Sequence, residues 1–374
     1  MIQKGPVSVL LAPLDWGLGH ATRCIPIINE LIQQGARITI AASGGQKALL
    51  LEEFPQLEFV EIPGYNLRFK RGVVLKWALI CRIPIILKRI KKENKWLEDS
   101  VEKLKIHAVI SDNRYGLFHK KLYCVFITHQ LNILSGWRSH ESVGGWIDDK
   151  IRKWNYKFIR KFSECWIPDL AENNSLSGEL SHPVILPPIP VKYIGPLSRF
   201  KREEKKMISN SLLILISGPE PQRTVFENIL FRQLILSTME TVVVRGLPGS
   251  KLPNPITRER LKIFNHLPAD KLNDLMNTSE FIIARSGYST IMDLVTLKRN
   301  AILVPTPGQT EQEYLAHYMH DNKWMYNAPQ KNFNLENILS IYRKIKLNLP
   351  GIPESDLYQQ VNDFLAEVSK RDRD

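Results

Sequence analysis

The sequence predicts an α/β protein built from two Rossmann-like, doubly wound parallel-sheet domains facing across a cleft. Three observations carry that expectation. At 374 residues the chain exceeds one ordinary core. Short apolar runs alternate with amphipathic stretches in a strand–turn–helix rhythm. That rhythm breaks once, at a hydrophilic connector, and then starts afresh.

The first series opens with VSVLLA (7–12), a glycine-containing turn and an apolar-periodic stretch from Thr22 to Gln34. Gly35 ends that helix and RITIAA (37–42) follows, which together make a βαβ unit. The rhythm continues through LEFVEI (57–62), HAVISD (107–112), CVFITH (124–129), ECWIPD (164–169) and VKYIG (191–195). Ser198 to Asn210, containing KREEKK, reads as the connector. The second series comprises LLILIS (212–217), TVVVRG (241–246), LKIFNH (261–266), EFIIARSG (280–287) and NAILVPTP (300–307). The expected division is a domain over 1–197 and a second over 198–354. The amphipathic helix in 355–374 is expected to return to the first domain. In such sheets ligands sit beyond the carboxyl ends of the strands.

Composition narrows the functional classes. With 44% apolar and 24% charged residues the chain is globular in character. Four cysteines (Cys24, Cys81, Cys124, Cys165) form no C-x-x-C pair, which points away from a structural zinc and toward a reducing, cytoplasmic compartment. The formal charge of +13 favours polyanionic partners. No nucleic-acid recognition motif accompanies it, so a nucleic-acid partner is not expected. The longest apolar stretch, Val73 to Ile90, is interrupted by Lys76, Arg82, Pro84, Lys88 and Arg89 and is not a membrane span. The wider segment 68–105 interleaves cations with Val73, Val74, Leu75, Trp77, Ile80, Ile85 and Ile86. It suits either an anionic membrane surface or a core helix with a solvated basic face.

Three loops carry the chemistry. The first, Asp15-Trp16-Gly17-Leu18-Gly19-His20, sits between a strand and a helix. Gly17 and Gly19 let the backbone approach a ligand, and His20 at the helix mouth is a candidate general base. A tight turn with a capping histidine is the competing reading. The second, Ser217 to Arg223, places Gly218 at the equivalent point of the second series, although its two prolines leave it poor in N–H donors. The third is Arg285-Ser286-Gly287-Tyr288-Ser289-Thr290-Ile291-Met292-Asp293. A helix beginning after Gly287 offers amides to a diphosphate, and Asp293 offers a carboxylate to a ribose. Gln312 and Glu313, after Pro305-Thr306-Pro307-Gly308-Gln309, bring groups suited to sugar hydroxyls. Leu267, just past LKIFNH, joins this donor set. Arg245 and Arg285 are either counter-charges for a leaving group or structural ion-pair partners.

The run RSGYSTIMDLVTLKRNAILVPTPGQTEQEYLAHYM resembles the donor-binding half of family 28 glycosyltransferases, which include the lipid-linked N-acetylglucosaminyltransferase of peptidoglycan synthesis. The GLGH loop is similar to the family's glycine-rich loop, and Thr128-His129-Gln130-Leu131-Asn132 to its H-E-Q-N segment. The resemblance implies the two-Rossmann (GT-B) fold, a UDP-sugar as substrate with no cofactor and no bound metal, and inversion at the anomeric carbon. It places Asp293 at the ribose, Gln312 and Glu313 at the sugar, His20 (or His129) as base, and His129 and Asn132 on the acceptor side. The implied acceptor hydroxyl belongs to a lipid-linked or cell-envelope glycan, reached from the inner face of the membrane. Two features depart from the family: Glu313 replaces a glutamine, and the second loop is proline-rich. A UDP-sugar 2-epimerase on the same fold is the alternative, and it needs acid and base groups on both faces of the sugar's C2.

Overall fold

The computed structural model describes residues 5–65, 83–134, 141–171, 174–218, 220–250, 258–353 and 356–371. The expectations placed on 68–82, among them Val73, Val74, Leu75, Trp77 and Ile80, and on Pro219 lie outside the described residues. The chain divides into two compact units, one running to Leu197 and taken up again from Pro353, the other Ser198–Ile352.

In the first unit the strands are β1 (Ser8–Pro13), β2 (Arg37–Ala41), β3 (Glu58–Val60), β4 (Ala108–Asp112), β5 (Tyr123–Ile127), β6 (Glu164–Ile167) and β7 (Val191–Tyr193). The helices are α1 (Leu18–Gln33), α2 (Gly44–Glu53), α3 (Ile83–Leu104) and α4 (Glu141–Ile159). The sheet order is β3-β2-β1-β4-β5-β6-β7 with every pair parallel. The central runs, β1 and β4, are buried on both faces, as a helix-covered parallel sheet requires, while the edge strands β3 and β7 are only partly buried. Gly35, at φ +78, closes α1 as anticipated. Its N–H reaches Ile32 O and that of Ala36 reaches Leu31 O, the paired bonds of a Schellman stop. Helix α10 (Leu357–Arg371) belongs to this unit, with Phe364 edge-on to Tyr123 and Trp166.

The second unit holds β8 (Ile208–Leu215), α5 (Gln222–Leu234), β9 (Glu240–Val244), β10 (Leu261–Phe264), α6 (Ala269–Thr278), β11 (Ser279–Ala284), α7 (Tyr288–Thr296), β12 (Ile302–Leu303), α8 (Thr310–Asp321), β13 (Tyr326–Asn327) and α9 (Leu335–Tyr342). Its all-parallel order is β10-β9-β8-β11-β12-β13. Each sheet therefore reverses winding at one point, between β1 and β4 in the first and between β8 and β11 in the second. Ligands of doubly wound sheets bind at such points. Two differences from the sequence reading stand out. Strand β8 begins at Ile208, inside the stretch read as connector, and its first residues are exposed. Strand β13 and helix α9 extend the second sheet and its cover beyond the last apolar run.

The candidate active site

Parallel register builds the first cluster. Pro13 pairs with Asp112, which sets the Asp112 carboxylate at the reversal point, beside the loop that leads into α1. Gln46 donates to Gly17 O at 3.1 Å, and Tyr65 N donates to Asp15 Oδ1 at 3.2 Å, which fixes that loop. Thr22 Oγ1 donates to Gly19 O at 3.1 Å. His20, in the first turn of α1, lies with Nδ1 2.9 Å from Asp112 Oδ2. Arg23, one turn on, brings Nε to Asp112 Oδ1 at 3.0 Å and adds Nη2 to the same oxygen.

Arg23 Nη2 also lies 2.9 Å from His20 Nδ1, so the tautomer needs an argument. A bare Nδ1 would set its lone pair against a carboxylate, whereas Arg23 already has Asp112 Oδ1 to donate to. The stable assignment puts the proton on Nδ1, donated to Asp112, and the lone pair on Nε2. Burial alone would raise the Asp112 carboxyl, but Arg23 and then His20 outweigh it and hold the group below the usual carboxylate range. The His20 side chain keeps 18% exposure while Asp112 has none. An imidazole held this way, backed by a buried carboxylate and partly open to solvent, has the form of a general base.

His129 belongs to the same cluster but in another capacity. It is buried, and its Nδ1 lies 3.2 Å from Arg23 Nη1. Arginine can only donate, so this Nδ1 is the acceptor and its lone pair is taken. Asn132 is half-buried, and its backbone N–H is tied to Leu180 O at 2.9 Å.

In the second unit the register aligns the expected donor residues. Leu215 and Val244 pair, as do Val244 and Phe264, Leu215 and Ala284, and Ala284 and Leu303, giving one level row across five strands. Three residues beyond that row (215, 264, 284 and 303, each plus 3) stand Gly218, Leu267, Gly287 and Thr306. Helix α7 starts after Gly287 with no side-chain cap, and a Cβ placed on Gly287 meets nothing within 4 Å. The space beside Gly287 is open at an uncapped helix N-terminus, the setting in which a helix start receives an anion. Tyr288 is buried and Ser289 half-buried beside it. Ser286 is buried, and its hydroxyl goes to Gln312 O at 2.8 Å.

The remaining donor-side residues have local partners. Gln312 Oε1 accepts from Thr306 N at 2.9 Å and Glu313 Oε1 from Gly308 N at 2.8 Å. Both side chains brace the loop ahead of α8. Asp293 Oδ1 accepts from Ser198 Oγ at 2.6 Å. Burial pushes the Asp293 carboxyl up to about 7, against smaller downward pulls from the Ser198 hydroxyl and Arg199.

The two arginines take the structural alternative. Arg245 forks onto both Glu227 oxygens at 2.9 and 2.8 Å and gives its last nitrogen to Asn265 Oδ1 at 2.7 Å. Arg223 Nη1 meets the same Glu227 at 2.8 Å. The Arg245 bonds use three of its five N–H groups and hold it as an ion-pair partner of Glu227, the structural reading of the two the sequence allows. Arg285 is buried under the Phe226 ring and donates to Val304 O, Pro305 O and Gln222 O at 3.1, 3.3 and 3.2 Å. It joins the loops after β8, β11 and β12 into one platform, and burial lowers it to about 9.

Asp112, Arg23 and Ser198 are functional candidates that sequence reasoning missed. The one signal for Asp112 was an acidic residue closing the buried run HAVISD. Nothing in the sequence pairs it with His20, 92 positions away.

Comparison with known proteins agrees with this fold. The Glycosyltransferase family 28 C-terminal domain matches residues 253–360. An uncharacterized glycosyltransferase of Methanosarcina mazei is 24% identical over 79% of this chain and 79% of its own. The UDP-N-acetylglucosamine--N-acetylmuramyl-(pentapeptide) pyrophosphoryl-undecaprenol N-acetylglucosamine transferase of Haemophilus ducreyi is 21% identical over 94% of this chain and 96% of its own. Among solved structures, the glycotransferase of kitacinnamycin superposes with a TM-score of 0.62 at 10% identity, covering 98% and 96% of the two chains. MurG of Acinetobacter baumannii gives 0.54 at 13%, covering 97% and 100%. The fold, the matched C-terminal domain and these relatives together make this chain a glycosyltransferase of the two-Rossmann, GT-B type, similar to those of family 28.

Proposed function

We propose that the enzyme transfers a sugar, an N-acetylhexosamine or hexose, from a UDP-sugar to an acceptor hydroxyl, with inversion and without a bound metal. The observation that carries this reading is that each unit has its own site: an oriented imidazole at one sheet's reversal point, and an uncapped helix start at the other's. His20 Nε2 takes the proton of the acceptor hydroxyl as its oxygen attacks the anomeric carbon. The bond from that carbon to the diphosphate oxygen breaks, and UDP departs with the bonding pair. Asp112 stabilises the imidazolium that forms, and Arg23 keeps Asp112 ionised. The amides at the start of α7 and the helix dipole meet the charge on the departing diphosphate. Asp293, with Ser198 beside it, takes the ribose hydroxyls, while Gln312 and Glu313 shape the sugar end.

Names borne by relatives support the donor and suggest the acceptor. The Haemophilus ducreyi relative is named for UDP-N-acetylglucosamine and for a pyrophosphoryl-undecaprenol substrate. A lipid-linked acceptor at an anionic membrane surface agrees with the +13 charge and the basic stretch through 105. No described helix is long and apolar enough to cross a membrane.

Titration calorimetry with UDP, UMP and ADP, followed by a screen of UDP-sugars for UDP release with lipid-linked acceptors, tests the proposal. UDP binding tighter than ADP, weakened by Asp293→Ala, is the expected result. A wild-type protein that ignores UDP at millimolar concentration ends it.

A further inference from the structure

Thr306 has a feature that the donor reading does not use. Its residue is 4% exposed, and its Oγ1 is buried without a hydrogen-bond partner among the described residues. The backbone holds it firmly: Thr306 N is bonded to Gln312 Oε1, and Arg285 clamps the carbonyls of Val304 and Pro305 just before it. The hydroxyl is therefore presented by a fixed loop and has not drifted there by rotation of a free one. It lies 3.8 Å from the point a Cβ would occupy on Gly218. Gly218 sits at φ +105, a conformation that side-chain-bearing residues rarely adopt, so its loop leaves backbone alone beside the hydroxyl. In the strand order β11 lies between β8 and β12, so Gly287, at the uncapped start of α7, follows the strand between those that lead to Gly218 and Thr306.

Leaving a buried hydroxyl unpaired is destabilising, and one beside a glycine turn at the carboxyl end of the sheet is placed for a ligand to satisfy it. We infer that Thr306 Oγ1 is a ligand-binding donor for the diphosphate of the nucleotide substrate, completing with the Gly218 loop and the α7 amides a three-sided phosphate cradle. This inference rests on the nucleotide-sugar reading of the same site. The hydroxyl donates to a phosphate oxygen beyond the first phosphate, so its effect depends on the length of the phosphate chain.

The test uses Thr306→Val, which keeps the shape and removes the hydroxyl, and Thr306→Ser, which restores it. Calorimetry with UDP and UMP and a thermal melt of each ligand-free variant are read together. The expected result is UDP affinity reduced about tenfold or more by Thr306→Val, since hydrogen bonds to charged groups are the strong ones. UMP affinity is unchanged, Thr306→Ser recovers most of the loss, and the melting temperature of ligand-free Thr306→Val equals or exceeds that of wild type. A merely structural hydroxyl gives the opposite pattern, a lower melting temperature with UDP binding intact, and that result overturns the inference. Equal losses for UDP and UMP overturn it too, because they place the hydroxyl away from the diphosphate. Failure of wild type to bind either nucleotide removes the donor reading itself and is distinguishable from both.

Discussion

Replacing Asp112 by asparagine is the sharpest perturbation of the first cluster. The carboxylate takes His20 Nδ1, Arg23 Nε and Nη2, and the Cys24 thiol at 3.9 Å, all with no exposure of its own. Asparagine retains one acceptor oxygen and turns an NH2 toward the remaining donors. Arg23, whose side chain is 2% exposed, then stays charged with no counter-ion at Asp112. Breaking one side of a buried ion pair costs about 3–5 kcal/mol. Set against a domain stability of about 5–15 kcal/mol, that is a large fraction. For a unit of this size it corresponds to a melting temperature lower by roughly 6–20 °C.

The pH dependence has a definite sign. The Asp112 carboxyl is held below its ordinary range by Arg23 and His20 against the effect of burial. Its contribution is fully present above the unfolded carboxylate value of about 3.9 and is lost as pH falls through the lower folded value. Scanning calorimetry of Asp112→Asn should show the full gap to wild type at pH 7 and a narrowing gap below about pH 4. A variant melting within about 2 °C of wild type at pH 7 would refute the reasoning, because Arg23 would then not depend on Asp112.

Three further outcomes are expected. His20→Ala should leave UDP affinity unchanged by calorimetry and lower sugar transfer roughly 10²–10⁴-fold, the span of a lost general base. Asp293→Asn keeps an acceptor for Ser198 and removes a carboxyl whose folded value, about 7, lies above its unfolded one. The wild-type contribution is full below about pH 3.9 and lost as pH rises through 7, so denaturant melts should find the variant more stable at pH 8 by roughly 1–3 kcal/mol and level near pH 4. Gly287→Ala adds a methyl at φ −71 into space with no neighbour within 4 Å. Denaturant melts should change by no more than about 0.5 kcal/mol, while UDP affinity falls tenfold or more as the methyl enters the ligand's space.

Much of this fold is written in local patterning. Runs such as VSVLLA and EFIIARSG are continuous apolar stretches closed by Gly or Pro, and each became a strand buried on both faces. Tyr326–Asn327 escaped notice because a two-residue edge strand with half-buried polar side chains makes no apolar run. The start of β8 was hidden by exposed residues that pair only at its edge, where Ser279 meets Ile208 and the register then shifts.

The site divides along the same line. Gly287 and the start of α7 were legible because a helix beginning after a strand is a local event. The partnership of His20 with Asp112 was not, since it exists only once β1 and β4 lie in register. The fates of Arg245 and Arg285 were equally invisible. One depends on Glu227, a helix away, and the other on three carbonyls that any sequence would supply.

The central claim is that a nucleotide diphosphate settles on the backbone at the carboxyl end of the second sheet. Hydrogen–deuterium exchange with and without saturating UDP tests it most directly. The account predicts marked slowing of the amides from Gly287 to Ile291, with little change in the helix that carries His20. Tight UDP binding that leaves those amides exchanging at their free rate would contradict it.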